Sequence, residues 1–147
     1  MTLAAESPES LIVDLAIERQ VVLPALRDWV RGALDGLGAE HCYDVQLVVT
    51  ELAANVLDHT TGAGRLRLFR GGGPCRVTVE VDDQSAVRPR RGRSRLGGHR
   101  GNGMALVAGL SSAWGARLGL RGGKTVFAVV RCGTGGLVAR ECGLAGV

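Results

Sequence analysis

Glu51 and Asn55 stand four residues apart in the run Glu51-Leu52-Ala53-Ala54-Asn55. On an ideal helix that spacing sets two side chains about 40° apart on one flank, and Asp44 and Asp58 fall on the same flank. An Asn side-chain oxygen is a hard ligand suited to Mg²⁺, which binds few protein groups and completes its shell with phosphate oxygens. A carboxylate beside it can orient or deprotonate an attacking hydroxyl. The plainer reading of these residues is a solvated helix flank. A second acidic group, Asp82-Asp83-Gln84-Ser85, follows an alternating apolar run. An acidic residue where a buried strand ends can accept a hydrogen bond from an exocyclic amine such as adenine's. Asp is equally favoured in a turn that merely ends a strand.

Two glycine-rich stretches complete the candidates. Gly97-Gly98-His99-Arg100-Gly101-Asn102-Gly103-Met104 precedes an apolar helical run. Glycines there let backbone N–H groups approach phosphates, and the helix N-terminus adds partial positive charge. A flexible hinge with an ordinary cap is the alternative. The stretch is no dinucleotide fingerprint, since it follows a loop and has Leu106 where the third Gly would stand. Gly122-Gly123-Lys124-Thr125 resembles the end of a P-loop, but Leu118 replaces the upstream Gly and strand-like residues follow, so a hairpin turn is expected. His41, His59 and His99 share no metal-ligand spacing, and each is expected to be structural or superficial.

These groups need elements to position them. Leu11 to Ile17 reads as a strand, and Pro24 opens an amphipathic helix expected to reach Leu37, with Gly36 and Gly38 as its stop signal. Glu40 to His59 is the clearest helix. Its Val45, Val48, Val49, Leu52 and Val56 follow the i, i+3, i+4, i+7 rule of a buried stripe. Arg65 to Arg70 and Cys75 to Val81 alternate with period two around a glycine loop, predicting an antiparallel hairpin. Residues 84–101 lack periodicity and read as a functional lid or a disordered segment. Gly103 to Leu110 then reads as helix, followed by strands over Ala116 to Arg121 and Lys124 to Arg131. The expected organisation is a flexible segment 1–10, one domain 11–131 containing the lid, and a Gly-rich tail 132–147. The order β-α-α-β-β-lid-α-β-β predicts an α/β two-layer sandwich, a mostly antiparallel sheet with helices on one face.

Composition narrows the function classes. A chain of 147 residues fits one domain and can bury about two-thirds of its unfolded surface without disulfide or metal staples. Hydrophobic residues make up 46% and aromatics 3%, so the core is built from Val, Leu and Ala. Cys42, Cys75, Cys132 and Cys142 lack finger or redox-motif spacing. The first ten residues do not resemble a signal peptide, and no apolar run reaches the roughly 20 residues of a membrane span. The expectation is a cytoplasmic protein with reduced cysteines and no membrane association. Arg88, Arg90, Arg91, Arg93, Arg95 and Arg100 crowd the lid; removing these six from the net charge of +4 leaves the rest at −2. With no aromatic residue in that loop to stack on bases, direct nucleic-acid binding is not expected. The seventeen arginines against one lysine point to a GC-rich genome.

Taken in order, the motifs resemble those of the histidine-kinase-like ATPases, which carry the GHKL or Bergerat ATP-binding fold. Glu51 to Thr60 resembles the N box, Asp83-Gln84-Ser85 the adenine box, and Gly101 to Val107 the glycine box that closes the lid. Gly123-Lys124-Thr125-Val126 matches a run that often ends the domain. The likeness covers about Leu11 to Arg131 and is closest to stand-alone anti-sigma-factor serine/threonine kinases of actinobacterial type. It implies ATP and Mg²⁺ as cofactors, Asn55 as metal ligand and Glu51 as the catalytic base. It further implies Asp83 as adenine contact, with Ser85, Arg100, Gly101, Gly103, Met104 and Thr125 around the nucleotide. Partners implied are a sigma factor and a STAS-type anti-anti-sigma protein, and a homodimer is compatible. The adenine box departs from many relatives at Ser85, where they carry Gly. The alternative is therefore a catalytically inactive, partner-sequestering or nucleotide-sensing module.

Overall fold

Period-two alternation becomes strand wherever one face of the run is apolar. The computed structural model describes residues 9–18, 23–59, 64–71, 76–83, 103–119 and 123–131; the lid at 84–101 and the tail at 132–147 fall outside them. Five strands, β1 (Ser10–Ile17), β2 (Gly64–Arg70), β3 (Arg76–Asp83), β4 (Ala113–Leu118) and β5 (Lys124–Arg131), form one sheet. Their order is β1-β2-β3-β5-β4, with every neighbouring pair antiparallel. Three helices, α1 (Leu23–Ala33), α2 (Ala39–His59) and α3 (Gly103–Leu110), cover one face. This is the two-layer α/β sandwich the element order predicts.

The core lies between the layers. Val77, Val79 and Val81 of β3, Val126, Ala128 and Val130 of β5, and Leu66 and Leu68 of β2 point toward the helices. They meet the whole predicted stripe of α2, Val45, Val48, Val49, Leu52 and Val56, each at most 1% exposed. Leu26, Val30 and Leu34 join from α1 and its end, and Met104 and Val107 from α3. Each fully buried Val or Leu contributes about 1.5–3 kcal/mol, so α2 is the helix that fixes the layer. His41, at its first turn, is buried and donates from Nε2 to the Val130 carbonyl at 2.8 Å, a structural role. Cys42 is a free thiol packed against the core.

The opposite face of the sheet is polar. Arg67 forks onto Asp82 with bonds of 2.8 and 2.9 Å, and Arg117 reaches Glu80 while lying 5.2 Å over the Phe127 ring. Glu9, just ahead of β1, accepts a 3.0 Å bond from Thr78 on this face.

β3 runs two residues past the expected Val81, to Asp83, because its pairing with β2 and β5 continues through Asp82 and Asp83, and two other elements differ from expectation. The first helix ends at Ala33 rather than Leu37. Tight turns from Leu34 N–H to Arg31 and from Leu37 N–H to Leu34 replace its last turn, and Gly36 takes the left-handed φ of 84°. The fourth strand runs over Ala113–Leu118, three residues earlier than predicted. Gly119 N–H donates to the Gly123 carbonyl at 2.7 Å, closing the hairpin just beyond the last ladder pair, Leu118 with Lys124.

Candidate functional site

α2 links the candidate residues, meeting the start of α3 through Glu51 and Asn55 and the end of β3 through Val56. It carries Glu51 and Asn55 into place because its apolar stripe is pinned to the sheet. Glu51 is 5% exposed and Asp58 6% exposed, so the flank they share is not solvated helix surface. Asn55 is half-buried.

α3 supplies the other wall. A Cβ placed on Gly103 would stand 2.5 Å from Glu51 Oε1 and 3.5 Å from its Cδ. The Glu51 carboxylate thus occupies the space that a side chain at 103 would fill, against the first residue of the helix. One residue on, Met104 is 1% exposed and its sulfur accepts a 3.1 Å bond from Asn55 Nδ2. The two N-box residues therefore touch two consecutive residues of the glycine box. With the nitrogen end of the amide on Met104, Oδ1 is the end of Asn55 that suits a cation. Among the described residues no group of three or more His, Cys, Asp or Glu could hold a metal by itself.

The floor is the strand end. Asp83 is a cross-strand partner of Lys124 in the β3–β5 ladder and of Gly64 in the β2–β3 ladder. Lys124 Nζ donates to Asp83 Oδ2 at 3.0 Å, with side chains 4% and 2% exposed respectively. A Cβ on Gly64 would fall on the Asp82 carbonyl and lie 3.1 Å from Val56 Cγ1, so α2 comes down close to the same strand end.

Of the residues picked out from sequence, Glu51 meets Gly103 and Asn55 meets Met104, and Asp83 lies at the end of β3. Thr125 is not brought to them. It faces the other side of the sheet, where its Oγ1 donates to Asp82 Oδ1 at 2.7 Å. Burial pushes the Asp82 carboxyl up, but the bonds from Arg67 and Thr125 and the charges of Arg67 and Arg117 outweigh it, holding Asp82 below the usual carboxylate range. Ser85, Arg100 and Gly101 lie outside the described residues. Sequence reasoning named Lys124 within the Gly-Lys-Thr-Val run but gave it no role in the site. The signal was its type: it is the one lysine in a chain with seventeen arginines.

Among the described residues no helix is long and apolar enough to cross a membrane. No curated protein matches the chain closely enough to be named as a relative. Residues 18–129 match the histidine kinase-like ATPase domain family. That span takes in Glu51 and Asn55 on α2, Asp83 at the end of β3, Gly103 and Met104 on α3, and Lys124 on β5. The chain belongs to the histidine kinase-like ATPase domain family, and its fold is that of an ATP-binding domain.

Proposed function

We propose that the chain is a cytoplasmic ATP-binding anti-sigma regulator, which sequesters a sigma factor and phosphorylates a STAS-type anti-anti-sigma protein on Ser or Thr. The observation that carries this reading is the pairing of Glu51 and Asn55 from α2 against Gly103 and Met104 of α3. It sets a carboxylate and an amide oxygen at the N-terminus of the helix that follows the lid. Asn55 Oδ1 would hold Mg²⁺ beside the triphosphate, and the glycines at 101 and 103 would admit phosphate oxygens to backbone N–H groups. Arg100 would offset phosphate charge. Bound Mg²⁺–ATP supplies the electrophilic γ-phosphorus, and positioning with electrostatic stabilisation does most of the rest in such transfers. Glu51 would take the proton from the Ser or Thr hydroxyl as its oxygen joins the γ-phosphorus and ADP departs. The product carries roughly two added negative charges, enough to break a contact between the antagonist and the kinase.

The test is incubation with labelled ATP, Mg²⁺ and the anti-anti-sigma protein encoded beside this chain. Label should pass to a Ser or Thr of the partner. Glu51→Gln should slow that transfer by about 10²–10⁴-fold while ATP still binds. Absence of transfer, with partner binding intact, removes the kinase reading.

The alternative, a sequestering module without turnover, is favoured by one observation: the carboxylate at the strand end is closed over by Lys124. Under that reading Glu51→Ala keeps the full cellular effect of the wild type.

A further inference from the structure

We propose that Lys124 takes over the Asp83 carboxylate in the base subsite, so that the site binds purine nucleotides without requiring a 6-amino group. The inference rests on the ATP-binding reading above and concerns which part of the base is recognised.

Lys124 Nζ lies 3.0 Å from Asp83 Oδ2, and the two side chains are 4% and 2% exposed. The pairing is fixed by the sheet, since Asp83 and Lys124 are direct partners in the β3–β5 ladder. The register thus keeps the two side chains within reach of each other. The residue type carries its own weight. In a chain that uses arginine seventeen times, the one lysine stands at this buried position. An ammonium is a compact point donor on a flexible stem, whereas a guanidinium is a rigid fork that would engage both carboxylate oxygens.

An ionised carboxylate only accepts hydrogen bonds, and an ammonium only donates them. Were Asp83 the sole reader, it would select the exocyclic amine of adenine and reject a base with oxygen or hydrogen at that position. With Lys124 on Oδ2, an incoming amine must either displace a desolvated ion pair or settle on Oδ1, where the carboxylate charge is already compensated and the neighbouring ammonium repels its N–H. The ammonium, in turn, can donate to a ring nitrogen or to a 6-oxo group. Recognition thus shifts from the substituent to the purine ring and the triphosphate.

The test is calorimetric titration of the wild-type protein, with Mg²⁺, by ATP, inosine triphosphate and purine riboside triphosphate, which has hydrogen at position 6. All three should bind with Kd values within about fivefold of one another, because an unread amine contributes less than the tenfold or more of a bond to a charged group. A preference for ATP above fivefold overturns the inference and leaves the nucleotide reading standing. Absence of binding by all three overturns the nucleotide reading, and the inference with it. Lys124→Met should create selectivity, with ATP at least tenfold tighter than purine riboside triphosphate. A folded Lys124→Met protein that still binds all three alike also overturns it. Should that variant fail to fold, the wild-type series decides alone.

Discussion

Gly103→Ala should disable phosphoryl transfer without unfolding the protein. The new Cβ would sit 2.5 Å from Glu51 Oε1, where real contacts do not fall below 3.0 Å and ordinary contact begins near 3.4 Å. Something must therefore give by 0.5 Å at least, and by about 0.9 Å to reach an unstrained contact. The other atom within reach is Cδ of the same side chain, at 3.5 Å, so the carboxylate is what moves. The fold should tolerate this. Alanine is the better helix former by up to about 1 kcal/mol, which offsets part of the disturbed packing, and net stability should stay within about 1 kcal/mol of wild type. The chemistry should not tolerate it, since a reacting group displaced by 1 Å can lose on the order of 100-fold in rate. The assay is single-turnover transfer of labelled γ-phosphate to the anti-anti-sigma protein, run beside urea denaturation and ATP titration. Expected are a transfer rate lowered about 30–100-fold, stability close to wild type and ATP affinity within a few-fold. Glu51→Asp in the same chain shortens the side chain that must retreat, so the double variant should lose less than the two single losses combined. A folded Gly103→Ala protein that transfers within threefold of wild type refutes the link between residue 103 and the Glu51 carboxylate. A loss of several kcal/mol in stability refutes the claim that the carboxylate is what yields.

The contrasting glycine is Gly64, whose added Cβ would fall on the backbone carbonyl of Asp82 and crowd Val56. Backbone cannot swing aside, so Gly64→Ala should destabilise by about 1–3 kcal/mol in urea titration; an unchanged midpoint would contradict the β2–β3 register. His41 is held below its ordinary value of 6.5 by burial and by the charge of Arg70, with the Val130 carbonyl opposing them. It stays neutral in the fold where the unfolded chain takes a proton, so its contribution is present above pH 6.5 and is lost as pH falls below it. His41→Gln should flatten that slope in melts at stepped pH. Asp82, depressed below 3.8, works in the acid range: its contribution is present above that value and is lost as pH falls through the folded value. Asp82→Asn should therefore weaken the acid limb while leaving the limb below pH 6.5 in place.

The helices and the central hairpin were legible because their signals are local. Val45 to Val56 spell out one face of α2, and Arg65 to Arg70 alternates without a break, so propensity, period and burial agree. β4 was misplaced because Gly115 and Ala116 interrupt its alternation, and its limits are set by pairing with β5 rather than by its own residues. The N-box and glycine-box residues could be named in advance. That Glu51 lies on Gly103 depends on how α3 packs across α2, which no spacing encodes. Thr125 and Lys124 show the same limit more sharply. Adjacent residues of a strand face opposite sides, and only the register with β3 decides that Thr125 meets Asp82 while Lys124 meets Asp83.

The burial of the one lysine also gives the protein a built-in reporter. Acylating reagents that seek primary amines have no exposed lysine side chain to attack on this chain. Their rate of reaction at residue 124, followed by mass spectrometry, measures how often the Asp83 pair separates and lets solvent in. Since a buried amine reacts only from opened molecules, that rate tracks local opening at the strand end. A nucleotide that seals this end should slow the reaction, and one that parts the pair should speed it.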